Sequence, residues 1–264
     1  PTLAMLAPLV LEHARRNWRP LAWAASFALI LGAVMIAGMR AGWLTMALVL
    51  AVYMLLMVKR ENRELRRTVL TIPALALLVL AGSYFASPLF QERLDVTRAF
   101  TSGQERALDA SSMERVPIFR VALKMFREHP LNGVGVRAFP DAYMVYAEPG
   151  DVHIEKSGGK SGATHAHNVV LEVMSDTGSI GLLGLLAALV FLARHRTMPG
   201  ERREAFPFAL AVLLILFPLN SHFAIYGTYT SSLIWFLVGL WSAALRHDHG
   251  VTGPLKPSSA ESPP

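Results

Sequence analysis

The sequence predicts an all-α polytopic membrane protein. Hydrophobic residues occupy 53% of its 264 positions, and the mean hydropathy is +0.39. These residues are collected in long blocks without a formal charge, and only 17% of the chain is charged, which disfavours a soluble enzyme. The chain has no cysteine, which excludes disulfides, thiolate metal ligands and a cysteine nucleophile.

The apolar blocks are long enough for six complete helices across the ~30 Å hydrocarbon layer. Only Arg40 separates the first two blocks, and the last block is long enough for two helices that turn near residues 220–230. The predicted spans are residues 21–39, 41–58, 68–90, 177–193 (beginning further back, near Asn168) and the two halves of 205–245. Residues 1–11 resemble the end of a further, partial helix. Because no initiator Met or signal peptide precedes them, we expect the C-terminal portion of a larger protein.

The positions of Lys and Arg predict the orientation, because short loops that carry them stay cytoplasmic. Three loops qualify, and their alternation with six spans is consistent. Their basic residues are Arg15, Arg16 and Arg19; Lys59, Arg60, Arg63, Arg66 and Arg67; and Arg194, Arg196, Arg202 and Arg203. The net charge of +6 therefore reflects membrane topology, and we expect no nucleic-acid partner.

This topology divides the chain into four parts. Residues 1–90 carry the partial helix and three spans, and residues 91–168 form one outer loop domain. Residues 169–246 carry three more spans, and residues 247–264 form a cytoplasmic tail whose Pro and Ser content predicts disorder. The outer domain contains equal numbers of acidic and basic residues, so it is not a polybasic arm.

One segment of the outer domain has the pattern of an amphipathic helix, which we expect to lie on the membrane surface. It begins either at a capping box from Ser111 to Glu114 or with Pro117 in its first turn. Its apolar positions are Ile118, Phe119, Ala122, Leu123 and Phe126, and its basic positions are Arg120, Lys124 and Arg127. The following segment, residues 129–139, has two glycines but no strand before it and no Gly-Lys-Ser/Thr after it, which argues against a nucleotide-binding loop.

The outer domain ends at two histidines, His165 and His167, directly before the fourth span. Three interpretations remain open for them. With a third ligand such as His129 or His153 they could bind a metal. As neutral imidazoles at the membrane boundary they could accept a proton from a hydroxyl or bind a phosphate. They could also simply cap the next helix.

Arg40 lies between two apolar blocks, where an arginine is costly unless it reaches water or an anion. Snorkelling to the interface would satisfy it. The tight turn also places it on the outer face, where it can converge with His167 and Arg115. Such a site suits a diphosphate leaving group, because arginine binds phosphate oxygens in pairs. Glu172 and Asp176 are an alternative base or could orient His167.

Three motifs together resemble the superfamily of O-antigen ligases, Wzy-type polymerases and protein O-oligosaccharyltransferases, most closely the ligases. The first motif is His167-Asn168, which is followed after nine residues by Gly178-Ser179-Ile180-Gly181. It is similar to that superfamily's His-Asn-x9-Gly-x-x-Gly signature. The stretches 114–123 and 129–135 resemble its arginine-bearing helix and its HPL-G-G turn. Residues 38–43 resemble its Ser-Arg helix start, with Met39 in place of Ser. The resemblance covers roughly residues 20–195.

The resemblance implies a GT-C-like glycosyltransferase of the bacterial inner membrane with its site on the periplasmic face. The donor would be an undecaprenyl-diphosphate-linked glycan, the acceptor a hydroxyl of a lipid A-core sugar, and the transfer inverting, without a metal or other cofactor. Arg40 and Arg115 would hold the diphosphate, and His167 would activate or orient the hydroxyl. The further substrate-binding candidates are His165, Arg120, Arg137 and Asn168.

Two groups of alternatives remain. A polymerase or a protein O-oligosaccharyltransferase would share this chemistry and differ in the acceptor. A transporter or lipid flippase would use Arg40 as a substrate or gating charge. That class predicts ionisable residues and broken helices at mid-membrane, whereas the charges of this chain gather at the outer surface.

Overall fold

The computed structural model describes residues 2–17, 20–38, 40–58, 63–101, 115–194, 204–218 and 224–250. Within these ranges the chain is helical and contains no strand, so the all-α prediction is confirmed there. The helices are α1 (Thr2–Asn17), α2 (Pro20–Ile36), α3 (Arg40–Val58), α4 (Arg63–Ala86), α5 (Pro88–Thr101), α6 (Arg115–Glu128), α7 (Phe139–Tyr146), α8 (Val152–Lys156), α9 (Val169–Arg194), α10 (Phe206–Ile215) and α11 (Thr228–Gly250).

A helix begins near each predicted span, but the described helices differ in length. Val169–Leu192 and Thr228–Leu245 are long and apolar enough to cross a membrane, and a bent pair, Ala74–Ala86 with Pro88–Val96, is a third if it counts as one span. The other apolar helices are shorter than a typical span of about 20 residues. The described helices therefore give two or three candidate spans, and the full set of six stays a prediction.

The apolar helices α1, α2, α3, α10 and α11 pack around one hydrophobic core. Trp23 and Phe27 stack in it at 5.7 Å between ring centroids, and the Tyr53 ring meets Phe206 edge-on at 6.3 Å. The Tyr53 hydroxyl donates a hydrogen bond to the Pro8 carbonyl at 3.2 Å, which ties α3 to α1. The bundle is thus held by close packing with few polar links.

The predicted third span, residues 68–90, is wrong at its end. The chain turns by 106° after Ala86, and α5 starts there. Pro88 lacks an N–H and disfavours helix at the residue before it, while the Ser87 side chain accepts a hydrogen bond from the Phe90 amide at 3.2 Å and caps the new helix. The bend directs α5 back toward the start of α3, where Phe90 packs on Trp43.

The outer domain has its own core, and the amphipathic helix α6 contributes to it. Four residues of α6 are buried against residues of α7 and of the segment before α9: Ile118, Val121, Ala122 and Met125. The loop domain itself covers this face, whereas Val116 and Leu123 stay exposed, so a position of α6 on the membrane surface stays a prediction. The helix starts at Arg115 with Pro117 in its first turn, as one of the two predictions had it; residues 111–114 lie outside the described ranges.

At the end of the chain, α11 continues to Gly250, past the predicted start of the tail at His247. The rest of the predicted tail, residues 251–264, lies outside the described residues. So do Met39, residues 219–223 of the predicted turn and much of the basic clusters on which the orientation rests.

Candidate functional site

The site is organised by a break in α9. Gly178 has φ 62° and ψ −155°, so the regular hydrogen bonds of the helix are interrupted there. The turn at residues 129–135, the HPLNGVG turn, replaces them. Val134 and Gly135 donate to the carbonyls of Ser175 and Asp176 at 2.8 and 3.0 Å. In return, the amides of Ser179 and Ile180 donate to the carbonyls of Pro130 and Leu131 at 2.8 and 3.2 Å.

This exchange explains why glycines occur on both sides of the contact. A Cβ on Gly178 would overlap the carbonyl group of Leu131, and a Cβ on Gly133 would overlap the backbone of Ser175 and Asp176. Both glycines also have positive φ. Within a membrane helix, freed backbone groups must find partners in the protein. The two glycine-containing motifs are therefore halves of one joint between the outer domain and α9.

Two predicted site residues adopt left-handed backbone conformations that are uncommon for residues other than glycine. Arg137 has φ 65° and His167 has φ 51°. The Arg137 amide donates to the buried Asp176 carboxylate at 2.8 Å, so the joint fixes this residue. Strained backbone that persists in a folded protein is concentrated at functional sites, and both residues fit this pattern.

The two histidines lie against each other. The ring centroids of His165 and His167 are 3.8 Å apart, and the Thr164 hydroxyl contacts Nδ1 of His165 at 3.1 Å. Nε2 of His165 and Nδ1 of His167 are both shielded from solvent. Ala166 between them is fully buried in the core that α6 forms, which holds the pair beside α6.

Arg40 of α3 lies near Arg93 of α5 and near Arg115 of α6, and we call these three residues the arginine cluster. Burial, and then the nearby charge of Arg40, lower the pKa of Arg115. The charge of Arg93 acts on Arg40 as well. Cγ of Arg93 is 3.6 Å from the place that a Cβ would take on Gly38, at the turn into α3. The structure thus brings the predicted Arg40 and Arg115 together.

A polar cavity of about 260 Å³ lies beside the joint. Its polar lining consists of Arg137, Thr164, His165, Glu172, Asp176 and Tyr226. Glu172 and Asp176 are almost fully buried. The structure therefore brings the predicted His165 and Arg137 to one cavity, together with both carboxylates that the sequence suggested as alternatives.

Glu172 connects this cavity to the segment between α10 and α11. Its carboxylate accepts hydrogen bonds from the amides of Ile225 and Tyr226 at 3.1 and 3.3 Å. The Thr177 hydroxyl donates to the Val173 carbonyl at 2.7 Å, so the 3.0 Å contact between Thr177 and Tyr226 has the tyrosine hydroxyl as donor. Burial raises the pKa of the Tyr226 hydroxyl above its usual value.

Two other predicted substrate-binding residues have structural contacts. The exposed Arg120 side chain lies 3.7 Å from the Glu148 carboxylate and does not line the polar cavity. The Asn168 side chain accepts from the amides of Val170 and Leu171 at 3.0 and 3.1 Å and donates to the Pro218 carbonyl at 2.7 Å. Asn168 is thus the N-cap of α9, and a substrate contact of either residue stays a prediction.

Among the described side chains, no group of three or more His, Asp or Glu is arranged to hold a metal ion. His129, one of the possible third ligands, makes a 3.0 Å hydrogen bond to the Tyr146 hydroxyl. His153, the other, has its ring 6.1 Å from that of Tyr143. The described residues therefore offer no arrangement that would complete a metal site around the histidine pair.

Sequence reasoning missed Arg93 and Tyr226. Arg93 falls after the predicted third span, and only the bend at Ser87 returns it to Arg40. The signal for this bend was the Ser-Pro pair, which favours a helix start. Tyr226 lies within an uncharged block, and no local pattern distinguishes it from a membrane-facing tyrosine.

The long apolar helices are typical of a membrane protein, and the arginine cluster, the histidine pair and the cavity are its candidate site. A family profile described as O-antigen ligase matches residues 25–186, and the chain belongs to that family. The family is associated with a glycosyltransferase-like ligase or polymerase activity, and it implies a polysaccharide donor and a lipid acceptor. Comparison with curated proteins gives no match.

Proposed function

We propose that this protein transfers a glycan from undecaprenyl diphosphate to a sugar hydroxyl of lipid A-core. The observation that carries the proposal is the convergence of Arg40, Arg93 and Arg115 from three different helices. Neighbouring guanidinium groups repel each other and bind phosphate oxygens in pairs, so the cluster suits an anion that carries more than one negative charge. The diphosphate of a lipid-linked donor at the membrane surface has that charge.

The chemistry requires little beyond charge stabilisation and a base. The acceptor oxygen attacks C1 of the donor sugar, the bond between C1 and the diphosphate oxygen breaks, and the diphosphate leaves with the electron pair. Arginines bind phosphate oxygens strongly and stabilise this developing charge. His167 takes the hydroxyl proton, and attack opposite the leaving group inverts the configuration at C1. No metal is required by these steps.

The location follows from the proposed topology. With six spans in a GT-C-like arrangement and the basic loops in the cytoplasm, the outer domain of residues 91–168 faces the periplasm of a bacterial inner membrane. The joint with α9 then holds this domain at the membrane surface, where the lipid-linked donor presents its diphosphate.

The proposal is tested with the full-length protein in detergent, an undecaprenyl-diphosphate glycan, a lipid A-core acceptor and EDTA. We expect transfer by the wild type, and a decrease in kcat of about 10²–10³-fold for Arg40→Ala and for Arg115→Ala, the loss typical of removing one transition-state donor. Arg127→Ala is the matched control, because Arg127 is an exposed arginine at the other end of α6.

The other outcomes separate the alternatives. Inactivation by EDTA that Mg²⁺ reverses would contradict the metal-independent mechanism. Elongation of the donor glycan instead of transfer to lipid A-core would make the protein a polymerase, and transfer to Ser or Thr of a protein would make it an oligosaccharyltransferase. Absence of glycan chemistry with any acceptor would favour transport.

We expect Arg93→Ala to raise the KM for the donor about 10–100-fold and to leave the KM for the acceptor unchanged. The reason is the loss of one hydrogen bond to a charged group, which is worth about 1.5–3 kcal/mol. Steady-state kinetics with each substrate varied in turn measures this. Arg98→Ala in the same helix is the control, since Arg98 is exposed and pairs with Asp95. An unchanged donor KM in Arg93→Ala would remove Arg93 from the diphosphate site.

A further inference from the structure

The polar cavity differs in charge from the arginine cluster. Its wall contains two buried acidic side chains, Glu172 and Asp176, beside the single exposed Arg137, so a diphosphate is less favoured there than at the arginine cluster. Carboxylates and a tyrosine hydroxyl are instead the groups that bind the hydroxyls of a sugar. The cavity is therefore unsuited to the donor diphosphate and suited to an uncharged, hydroxyl-rich group.

The size of the cavity limits its occupant. Its volume of about 260 Å³ is just below the range of about 300–1,000 Å³ for pockets that enclose drug-sized ligands. One sugar ring fits this volume better than an oligosaccharide does. Phe139 and Pro140 also line it and offer apolar surface to the C–H face of a ring.

The cavity lies directly beside the histidine pair. His165 is part of its wall, and His165 in turn contacts His167 at 3.8 Å between ring centroids. A sugar in the cavity thus lies next to the imidazole pair. The backbone amides of Arg137 and Tyr226 donate to the carboxylates of Asp176 and Glu172, and the Tyr226 hydroxyl contacts that of Thr177. These hydrogen bonds hold the backbone at both positions and the Tyr226 ring.

From this arrangement we infer that the polar cavity binds the terminal sugar of the acceptor and presents its hydroxyl to the histidine pair. Glu172, Asp176 and the Tyr226 oxygen accept hydrogen bonds from the other hydroxyls of that ring, and Arg137 closes one side. This inference rests on the proposed glycosyl transfer, and it assigns the acceptor and the donor to separate groups of residues.

The test combines binding with kinetics in the full-length protein. Ala224→Leu adds volume to a residue that lines the cavity, and Tyr226→Phe removes one hydroxyl. Tyr229→Phe is the control, because Tyr229 lies nearby at the start of α11 and is 61% exposed. We expect Tyr226→Phe to raise the Kd and the KM for lipid A-core about 2–12-fold, as for one hydrogen bond of about 0.5–1.5 kcal/mol. Ala224→Leu should weaken acceptor binding more, with the donor KM unchanged.

The results distinguish this inference from the proposed function. Wild-type protein that binds lipid A-core through the cavity but transfers no glycan would contradict the transfer and leave the acceptor site supported. A raised donor KM in the cavity variants, or an acceptor Kd unchanged in both, would overturn the acceptor site even if transfer is normal. Displacement of bound lipid A-core by the donor glycan would likewise overturn it, because it would make the cavity a donor site.

Discussion

His167→Asn is expected to lower the kcat of glycan transfer by about 10²–10⁴-fold, the usual contribution of a positioned general base. Asparagine is chosen because it tolerates the left-handed conformation that His167 adopts at φ 51°, whereas alanine would add backbone strain. The substitution therefore removes the imidazole and keeps the fold of the segment. Initial rates with saturating donor and acceptor measure the effect.

The control for this variant is His13→Asn. His13 is an exposed histidine on α1, in a part of the chain outside the proposed site. It should transfer glycan at the wild-type rate. A kcat within tenfold of wild type in His167→Asn, or a larger loss in His165→Asn, would show that His167 is not the base. Equal melting temperatures of the variants would exclude unfolding as the cause of a lost activity.

Gly178→Ala is expected to destabilise the protein by more than about 3 kcal/mol. The position has φ 62° and ψ −155°, a region that is accessible essentially to glycine alone, and strained backbone of this kind costs about 1–3 kcal/mol per residue. A Cβ there would in addition overlap the Leu131 carbonyl, so the HPLNGVG turn could not dock. Thermal unfolding in detergent measures the loss.

Gly184→Ala is a matched control in the same helix. A Cβ on Gly184 meets no atom within 4 Å, and alanine favours a helix over glycine by about 1 kcal/mol, so this variant should be as stable as wild type or more stable. If Gly178→Ala yields no folded protein, Ser179→Ala tests the same joint more gently. Ser179→Ala removes the 2.7 Å hydrogen bond from the Ser179 hydroxyl to the Pro130 carbonyl. Wild-type thermal stability in both Gly178→Ala and Ser179→Ala would contradict the proposed importance of the joint.

The family and the helical class were accessible from the sequence because each depends on local patterns. Uncharged blocks predict apolar helices. The spacing from His167-Asn168 to Gly178 predicts the family, and the family match over residues 25–186 confirms that prediction. The amphipathic pattern of α6 did not show what would cover its apolar face. An amphipathic pattern states that one face is buried, but it does not say whether lipid or protein covers that face.

The candidate site was predictable only in part. Arg40 and Arg115 were expected together, and they lie close enough for the charge of Arg40 to lower the pKa of Arg115. Asn168 was selected for its place in a motif, but its side chain caps α9. A motif specifies which residues occur together, but it does not give the role of each. Several motif residues form the joint, and the joint positions the remaining motif residues.

The sequence alone determined the helical class and the family, because hydropathy and the spacing within a motif are properties of single segments. Only the tertiary structure decided that the HPLNGVG turn completes the hydrogen bonds of the broken α9, that Arg93 joins Arg40, and that both carboxylates share a cavity with His165. The first two of these contacts join segments distant in sequence, and the cavity also requires Arg137 and Tyr226 from other segments. Such contacts depend on bends and close backbone approaches whose geometry no local pattern encodes.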